Sequence, residues 1–450
     1  MKTKGSILNN IAKVFIILEL VSIGWLCGGT RVQYMMIMTT IAVLSFLVVV
    51  YGKLSSPQRD VLVSKYELYA YFISILFLLY VFIQSINIKV LKTPADGYSL
   101  YENMEYCSFL PYCTYESFSD FNNNAYFALY LGLICFGFAC YSSLKDLKFT
   151  KISIGCFLLS SFVMGGFAIW QKVNYVIMYD RFFSTGDFYG TFFLKNAAGA
   201  FFCIGIIVAL LCLFIPLKNN TQKLLCGLLV LPISVFLSYN VYNTKSEGAF
   251  LFCGVVWVGF FILLLFCLLR ASRYRKFILT SALLLFSATA TFCVLKYSKE
   301  NISSDIFTSL NARININKNN IEIFKNHLMY GMGTSCYDYN LHKIINKKED
   351  YTNNCKYIDI YDPHNSIIAY FVRHGIVGGL TISSLFILWI VLFFKKKMFL
   401  RSENMFIFWG VISCMMYALI DMHLSSIPST MFAFVFLIAL SLSNLRKADT

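Results

Sequence analysis

The residues best suited to chemistry lie between Arg313 and Gly379, where an otherwise apolar chain becomes polar and then apolar again. Titratable side chains concentrated at the boundary of a long apolar run are typical of a functional site. We therefore expect the chemistry of this chain in that segment. It contains four of the five histidines: His327, His342, His364 and His374.

His364 is the candidate general base. It follows Asp362-Pro363 and precedes Asn365 at the start of an apolar run, and Pro363 prevents a helix from continuing through this point. An imidazole near its ordinary pKa is well matched to taking a proton from a hydroxyl group, and Asp362 is placed to orient it. Asn365 or Ser366 is expected to cap the following helix. The alternative is that His364 is an interfacial histidine without a role.

Several basic residues are candidates for holding an anionic ligand. Arg313 begins an amphipathic helical pattern, Arg181 and Lys195 flank a glycine-containing loop, and Lys245 lies in a short turn between two apolar runs. The alternative is that these are interfacial cations whose charged ends reach toward water. Ser246 is expected to cap the helix that follows Lys245.

Two further features complete the candidate binding site. A Gly-x-Gly turn is formed by Gly331 and Gly333, and the apolar run after His364 carries Arg373 in its first third. That run is too long for one crossing, so we predict a helix that is broken near Gly375. Charges there must face protein or water rather than lipid. The predicted substrate-binding residues are Arg313, Arg181, Lys195, Lys245, Asn365, Arg373, Gly331 and Gly333.

The sequence argues against three other chemistries. The external loops contain no His-Glu-x-x-His, Cys-x-x-Cys or paired Asp-x-Asp pattern, so we expect neither a metal site nor any other cofactor. The chain lacks a Walker A sequence, which argues against ATP as the energy source. It also lacks the Gly-x-Ser-x-Gly turn of a serine hydrolase.

The elements that position these residues must be membrane helices. Of the 450 residues, 58% are hydrophobic and 14% are charged, and the mean hydropathy is +0.66. Soluble domains carry about 25% charged residues, and many apolar runs here reach the ~20 residues that cross a bilayer. We therefore predict an all-α polytopic membrane protein with about twelve transmembrane helices. The predicted spans are 10–28, 34–51, 68–88, 125–142, 153–171, 197–216, 223–241, 249–269, 277–296, 366–394, 404–420 and 429–445.

The distribution of basic residues predicts the topology. The net charge of +15 comes largely from Lys and Arg clusters in alternate short loops, which is the pattern of cytoplasmic loops rather than of a nucleic-acid-binding surface. Both termini are then cytoplasmic, and the candidate residues lie on the external face. The chain divides into N-terminal helices with a first external loop (1–124), a central transmembrane region (125–296), a long external loop carrying short helices (297–365) and C-terminal transmembrane helices (366–450).

Four cysteines lie in polar loops that this topology places outside the cell membrane. They are candidates for two disulfide bonds, one within each loop, and the alternative is that all four are free thiols. These residues are Cys107 and Cys113 in one loop, and Cys336 and Cys355 in the other.

Three motifs occur in an order that resembles a known family. They are the series Arg313, Gly331-x-Gly333, His364-Asn365 and Gly375-Ile-Val-Gly378, the segment GTFFLKNAAGAF from Gly190 to Phe201, and the turn TKSEGA from Thr244 to Ala249. With the twelve-span layout, they resemble the O-antigen ligase and O-antigen or exopolysaccharide polymerase superfamily over residues 125 to 445. Two positions depart from the family pattern, because Asp187 and Glu247 stand where arginines are common.

The resemblance implies a membrane glycosyltransferase of the GT-C type in the bacterial inner membrane, with its active site on the periplasmic face. The implied donor is a glycan on undecaprenyl diphosphate, and the implied acceptor is another lipid-linked glycan or the lipid A core of lipopolysaccharide. Arg313 would hold the diphosphate, with Arg181, Lys195 or Lys245 in place of the missing arginines, and His364 would deprotonate the acceptor without a metal ion. Contact with other polysaccharide-assembly membrane proteins is also implied.

The sequence leaves alternatives open. A lipid-linked oligosaccharide flippase or another polysaccharide transporter also has about twelve spans and cationic cavities. Such a transporter should place ionisable residues in the middle of the bilayer and show two related halves, whereas the charges here lie at span ends. A structural membrane scaffold would need neither Arg313 nor His364. The residues do not separate a polymerase from a ligase, although the departures from the family pattern slightly favour a polymerase.

Overall fold

The computed structural model of the protein describes residues 2–26, 31–55, 64–95, 98–116, 122–174, 189–192, 194–216, 219–269, 303–334, 363–443 and 445. Within these ranges the chain forms α-helices and one small β-sheet. The helices are α1 (Lys2–Trp25), α2 (Val32–Leu54), α3 (Lys65–Ile86), α4 (Asn123–Ser143), α5 (Leu147–Asn174), α6 (Lys195–Leu211), α7 (Asn220–Asn243), α8 (Glu247–Leu269), α9 (Ser303–Asn326), α10 (Ser366–Lys395), α11 (Ser402–Ala418) and α12 (Pro428–Ser441).

The helices confirm a polytopic membrane protein. Within the described ranges, 8 helices are long and apolar enough to cross a bilayer, and α6 and α12 are shorter apolar helices. Each predicted span in these ranges coincides with a helix, including 404–420 with α11. The predicted span 277–296 lies outside the described residues, so the count of twelve spans stays a prediction.

Helix α6 occupies the centre of the bundle. All of its residues from Ala197 to Leu211 are buried, and it packs against α5, α7, α8, α11 and α12. A helix that is apolar on every side is stable only when other helices surround it. Its first residues, Lys195 and Asn196, therefore emerge at the middle of one end of the bundle.

A three-stranded sheet corrects the prediction of an all-α chain. Strand β1 (Ile88–Ala95) lies between β2 (Tyr98–Asn103), which is antiparallel to it, and β3 (Cys113–Glu116), which is parallel. Asn87 fixes the loop between β2 and β3, because its Nδ2 donates to the carbonyl oxygens of Cys107 at 2.9 Å and Pro111 at 3.0 Å. Two lysines interrupt the apolar residues of β1, so its sequence resembles a polar loop.

Helix α10 is broken at Gly375, as predicted. Gly375 has φ 62° and ψ −166°, whereas the residues on either side of it are helical. The two charged or titratable residues before the break, Arg373 and His374, are buried in protein, which also agrees with the prediction. The described part of the long external loop contains the 24-residue helix α9, and the prediction of short helices in the rest of this loop lies outside the described residues.

Candidate functional site

One face of helix α9 packs against α10. Ile323 is buried with Met332 and Val372, and Asn320 Nδ2 donates a 2.8 Å hydrogen bond to the carbonyl oxygen of Pro363. This confirms the predicted amphipathic face. Arg313 precedes Asn320 by about two helical turns and so lies on the same side of α9. The contact at Pro363 therefore places the helix that carries Arg313 beside His364.

The Gly-x-Gly turn is joined to the break in α10 by backbone contacts, which we call the glycine clasp (residues 328–333 and 372–377). Met332 N donates to Val372 O at 3.0 Å, and Ile376 N donates to Leu328 O at 2.8 Å. A Cβ atom on Gly331 would lie 2.3 Å from the carbonyl oxygen of Arg373. Only glycine permits this approach, and the φ of 69° at Gly331 also favours glycine.

The glycine clasp gives Gly331 and Gly333 a structural role. Gly333 N donates to the carbonyl oxygen of Arg373 at 2.9 Å, and a Cβ on Gly333 would lie 2.5 Å from the Cβ of Cys113. Both glycines are thus occupied with backbone and side chains of this chain. They position α9 against α10, and their contact with substrate stays a prediction.

Arg373 is also hydrogen-bonded within the protein, and its role in substrate binding stays a prediction. Its side chain is buried, with Nη1 donating to Ser425 O at 2.7 Å and Nη2 donating to Ser426 Oγ at 3.0 Å. Its guanidinium also lies 4.9 Å from the ring centroid of Tyr126. Arg373 therefore ties α10 to the loop between α11 and α12.

His374 is part of a buried polar cluster with α3 and α4. Its Nδ1 is 2.9 Å from Gln84 Oε1, and its Nε2 is 3.1 Å from Tyr130 Oη. Gln84 Nε2 also donates to the carbonyl oxygens of Tyr330 and Arg373, at 2.7 and 2.9 Å. These bonds satisfy backbone groups that the break in α10 would otherwise leave unpaired inside the membrane.

Asn365 begins α10 and places His364 at the helix start. Its Oδ1 accepts from the backbone N–H groups of Ile367 and Ile368 at 3.1 and 3.0 Å, which confirms the predicted helix cap. Its Nδ2 donates to the carbonyl oxygen of Leu419 at 2.7 Å, so both ends of the amide are used in the fold. The substrate-binding role of Asn365 stays a prediction. His364 is half-buried and has a φ of 50°.

Asp421, in the loop between α11 and α12, joins the starts of three helices. Its Oδ2 accepts from Asn196 Nδ2 at 2.7 Å, and its carbonyl oxygen accepts from the Ser366 hydroxyl at 2.8 Å. Asn196 Oδ1 in turn accepts from the Ser246 hydroxyl at 2.6 Å. The N-terminal ends of α6, α8 and α10 thus converge here. Helix N-termini carry partial positive charge, so this arrangement favours an anion.

The guanidinium of Arg313 approaches the start of α8 beside Gly248. A Cβ atom on Gly248 would lie 3.6 Å from Arg313 Nη1 and 2.8 Å from Tyr417 Cε2, so the absent side chain leaves room for both groups. Arg313 is half-buried, and its guanidinium has no hydrogen-bond or ion-pair partner within the described parts of the chain. A cation in this position can bind an anion at the starts of the three helices.

The charges of this site depend on one another. Burial raises the pKa of the Asp421 carboxyl above its usual range, and the nearby charges of Arg313 and His364 act in the opposite direction. Ionised Asp421 is therefore stabilised by those two groups. We call Arg313, His364 and Asp421, with the starts of α6, α8 and α10, the candidate active site.

The predicted cations Lys195 and Lys245 lie beside residues of this site. Lys195 is the first residue of α6 and precedes Asn196, while Lys245 is exposed and precedes Ser246 with a φ of 56°. Ser246 caps α8 as predicted, because its hydroxyl accepts from Ala249 N at 3.3 Å. Arg181 lies outside the described residues. The ligand-binding roles of these three cations stay predictions.

The cysteine prediction is wrong for the first loop. Cys107 and Cys113 are both free thiols. Cys113 is buried in β3, where its Cβ lies against the turn at Gly333. Burial also raises the pKa of the Cys113 thiol to about 12, which makes it unreactive toward oxidation. Cys336 and Cys355 lie outside the described residues.

Sequence reasoning missed Asp421, Asn196, Tyr417 and His423. Asp421 and His423 are polar residues between two apolar runs at the external end of the bundle, which was the available signal. Asn196 lies within the segment from Gly190 to Phe201 that carries part of the family resemblance. Tyr417 lies within an apolar helix and is indistinguishable there from a core residue.

His423 is buried behind the candidate active site. Its ring stacks on that of Tyr417 with centroids 4.4 Å apart, and burial lowers its pKa from 6.5 to about 3. The unfolded chain binds a proton here below about pH 6.5, whereas the folded chain does not. The contribution of His423 to stability is therefore present above pH 6.5 and is lost as the pH falls toward 3.

Replacing His423 with Phe should make the protein less sensitive to acid. Phe keeps the ring that stacks on Tyr417 but cannot bind a proton. We expect H423F to match or exceed the unfolding temperature of the wild type at pH 7.5, and its advantage to grow between pH 6.5 and 4.5. Thermal unfolding of both proteins in the same detergent across this range measures the effect. If the difference in unfolding temperature between H423F and the wild type does not change with pH, the assignment of a buried neutral imidazole is contradicted.

Comparison with known proteins identifies the central part of the chain. Residues 232–383 match a family model described as O-Antigen ligase. This segment contains the turn at Thr244–Ala249, Arg313, the glycine clasp and His364, and the match confirms the predicted resemblance to the O-antigen ligase and polymerase superfamily. Asn196 and Asp421 lie outside the matched segment. A search of curated proteins finds no match.

Proposed function

We propose that this chain, with its O-Antigen ligase segment, is a membrane glycosyltransferase of the GT-C type that transfers a glycan from undecaprenyl diphosphate to a hydroxyl acceptor. The observation that carries the proposal is the meeting of a cation, an imidazole and a carboxylate at the starts of α6, α8 and α10. These groups are Arg313, His364 and Asp421. The family match does not favour the alternative of a flippase or transporter.

The leaving diphosphate requires positive charge. In the transition state the bond between the anomeric carbon and the diphosphate oxygen breaks, and negative charge grows on the leaving group. Arg313 supplies a guanidinium that can form paired hydrogen bonds with phosphate oxygens, and the three helix starts add partial positive charge. Lys195 and Lys245 lie next to residues of the site and are the candidates for additional phosphate contacts. No step of this reaction requires a cofactor.

The acceptor hydroxyl requires a base. His364 is half-buried at the edge of the site, where an acceptor arriving from water can reach it. As the acceptor oxygen attacks the anomeric carbon, its proton passes to the imidazole, and the charge of Asp421 stabilises the imidazolium that forms. A single in-line displacement of this kind inverts the anomeric configuration. The imidazolium then returns its proton to solvent after undecaprenyl diphosphate leaves.

The positions of the basic residues indicate the orientation in the membrane. The candidate active site lies where α10 begins, whereas Lys395, Lys396 and Lys397 lie where it ends. Lys53 and Lys145 interact with groups at this second end. Because lysine-rich ends remain in the cytoplasm, the candidate active site faces the periplasm of a bacterial inner membrane.

Arg313→Ala tests the proposal directly. The purified chain is incubated with the undecaprenyl-diphosphate repeat unit of its organism, with a chelator and without another acceptor, and the products are separated on a gel. We expect a ladder of longer lipid-linked glycans for a polymerase, and a loss of about 10²-fold in rate for R313A because leaving-group charge is no longer neutralised. Lys318→Ala is the matched control, since Lys318 is an exposed cation on the same helix.

The outcomes separate the remaining possibilities. If no ladder forms, the same incubation with lipid A core added tests the ligase. Transfer in neither assay by a folded sample, or equal rates for R313A and the wild type, would contradict the proposed enzyme.

A further inference from the structure

An apolar groove of about 430 Å³ runs between α3, α4, α10 and α12. Its lining on α10 extends from Ser366 to Leu392, which at about 1.5 Å per residue is close to the full thickness of a bilayer core. The groove therefore connects the end of the bundle that carries the candidate active site with the opposite end. At that opposite end its lining includes Glu67 and Tyr141.

Lysines from three elements surround this opposite end of the groove, which we call the basic end (Lys53, Lys145, Lys395 and Lys396). Lys145 and Lys396 both lie over the ring of Tyr141, with Nζ 5.0 and 4.9 Å from its centroid, and Lys396 Nζ also donates to the Tyr141 hydroxyl at 2.7 Å. Lys395 lies over the Tyr66 ring at 4.4 Å. All four lysines are exposed to solvent. Lys145 and Lys396 contact the groove through Tyr141, which lines it, whereas Tyr66 lies outside the lining.

Among the described residues, the basic end carries more positive than negative charge. Glu67 is 3.4 Å from Lys145, and within the described residues it is the acidic group in the lining of the groove. Burial and the neighbouring charge of Lys145 lower the pKa of Lys396. A negatively charged group among these lysines would offset both effects. Charge complementarity at this end therefore points to an anionic ligand.

At the end of the groove near the candidate active site, the polar groups of the lining already form hydrogen bonds within the protein. The Ser366 hydroxyl donates to Asp421 O at 2.8 Å, and the Tyr370 hydroxyl donates to Leu424 O at 2.8 Å. The Tyr130 hydroxyl is paired with His374 Nε2 at 3.1 Å. These polar groups of the lining are engaged inside the protein, so a charged headgroup is better accommodated at the basic end.

We propose that the groove binds an anionic phospholipid from the leaflet at the basic end, with its headgroup among Lys53, Lys145 and Lys396 and an acyl chain between α3, α4, α10 and α12. The phosphate of the headgroup neutralises the excess lysine charge, and the acyl chain covers apolar residues of the lining. The proposal is independent of the glycan transfer, because the headgroup lies at the opposite end of α10 from His364.

Trp389 provides the measurement, because it lines the groove. Phosphatidylglycerol with brominated acyl chains is added to the purified full chain in neutral detergent, and tryptophan quenching is compared with that by brominated phosphatidylcholine. Subtracting the signal of Trp389→Phe isolates the groove. We expect half-maximal quenching at about a tenfold lower mole fraction of phosphatidylglycerol than of phosphatidylcholine, since each lysine near an anionic lipid contributes modestly. Inorganic phosphate should not displace the lipid.

The matched variants remove equal charge from the same side of the protein. K145Q/K396Q should lose the preference for phosphatidylglycerol, whereas K148Q/K151Q, which changes two exposed lysines outside the groove, should keep it. Equal quenching by both lipids, or equal loss in both double variants, would overturn the proposal. Displacement by undecaprenyl diphosphate without any preference for phosphatidylglycerol would instead assign the groove to a prenyl chain. Thermal unfolding of each variant establishes that it is folded.

Discussion

Replacing His364 with Asn is expected to lower the rate of glycan transfer by at least about 10²-fold and to leave the protein folded. The loss follows because a positioned base contributes on the order of 10²- to 10⁴-fold, and an amide cannot take the proton. Asn is the appropriate replacement because His364 has a φ of 50°, a conformation that Asn adopts more readily than Ala. The measurement is the turnover of undecaprenyl-diphosphate-linked glycan by the purified chain in proteoliposomes.

His327→Asn is the matched control for this experiment. His327 follows α9 and is half-buried, with Nδ1 3.4 Å from the Tyr112 hydroxyl, and it lies outside the candidate active site. We expect its variant to transfer glycan at close to the wild-type rate. If H364N keeps transfer within about threefold of the wild type while R313A loses it, His364 is not the base. If both variants move lipid-linked glycan across the bilayer but neither the wild type nor the variants transfer it, the transporter alternative gains support.

Gly331→Ala is expected to destabilise the protein by more than about 3 kcal/mol, which is large for a single substitution. The added Cβ would meet the carbonyl oxygen of Arg373 at 2.3 Å, and the backbone on both sides is fixed by the hydrogen bonds of the glycine clasp. The φ of 69° adds strain for alanine. Thermal unfolding and the yield of monodisperse protein after detergent extraction measure the effect.

Gly155→Ala is the control, because Gly155 lies in α5 with nothing within 4 Å of the added Cβ. This change should be neutral or slightly stabilising, since alanine favours a helix over glycine. The comparison also distinguishes the two roles considered for Gly331. A stable G331A that fails only in transfer would support contact with substrate and contradict the glycine clasp.

The membrane helices and much of α10 could be predicted because their signals are local. A long apolar run gives a membrane helix, Pro363 and Asn365 give its start, and the glycines near Gly375 with buried charge give its break. Arg313 and His364 could be selected because cations and imidazoles are rare in such a chain and concentrate at the ends of spans. The family match covers both residues, and their roles stay predictions.

The partners of these residues could not be predicted because they come from distant parts of the chain. Asp421 meets Asn196 across 225 positions, and nothing near either residue indicates the other. Gly331 and Gly333 carry the same sequence signal whether they contact a ligand or another backbone, so their contact with Arg373 could not be predicted. The small sheet was missed because β1 is short and contains lysines, which obscure the alternation of a strand.

The buried guanidinium of Arg373 has a consequence for the order in which the chain assembles in the membrane. Its partners Ser425 and Ser426 are about fifty residues further along the chain, so they leave the ribosome after α10 does. An arginine at the centre of the lipid costs about 2.5–3.5 kcal/mol, and before its two serine partners arrive this cost opposes lateral release of this part of α10 from the translocon. The first third of α10 is therefore expected to reach its place only when the hairpin of α11 and α12 arrives. Biogenesis of this protein would then end with the step that brings Asp421 to the candidate active site.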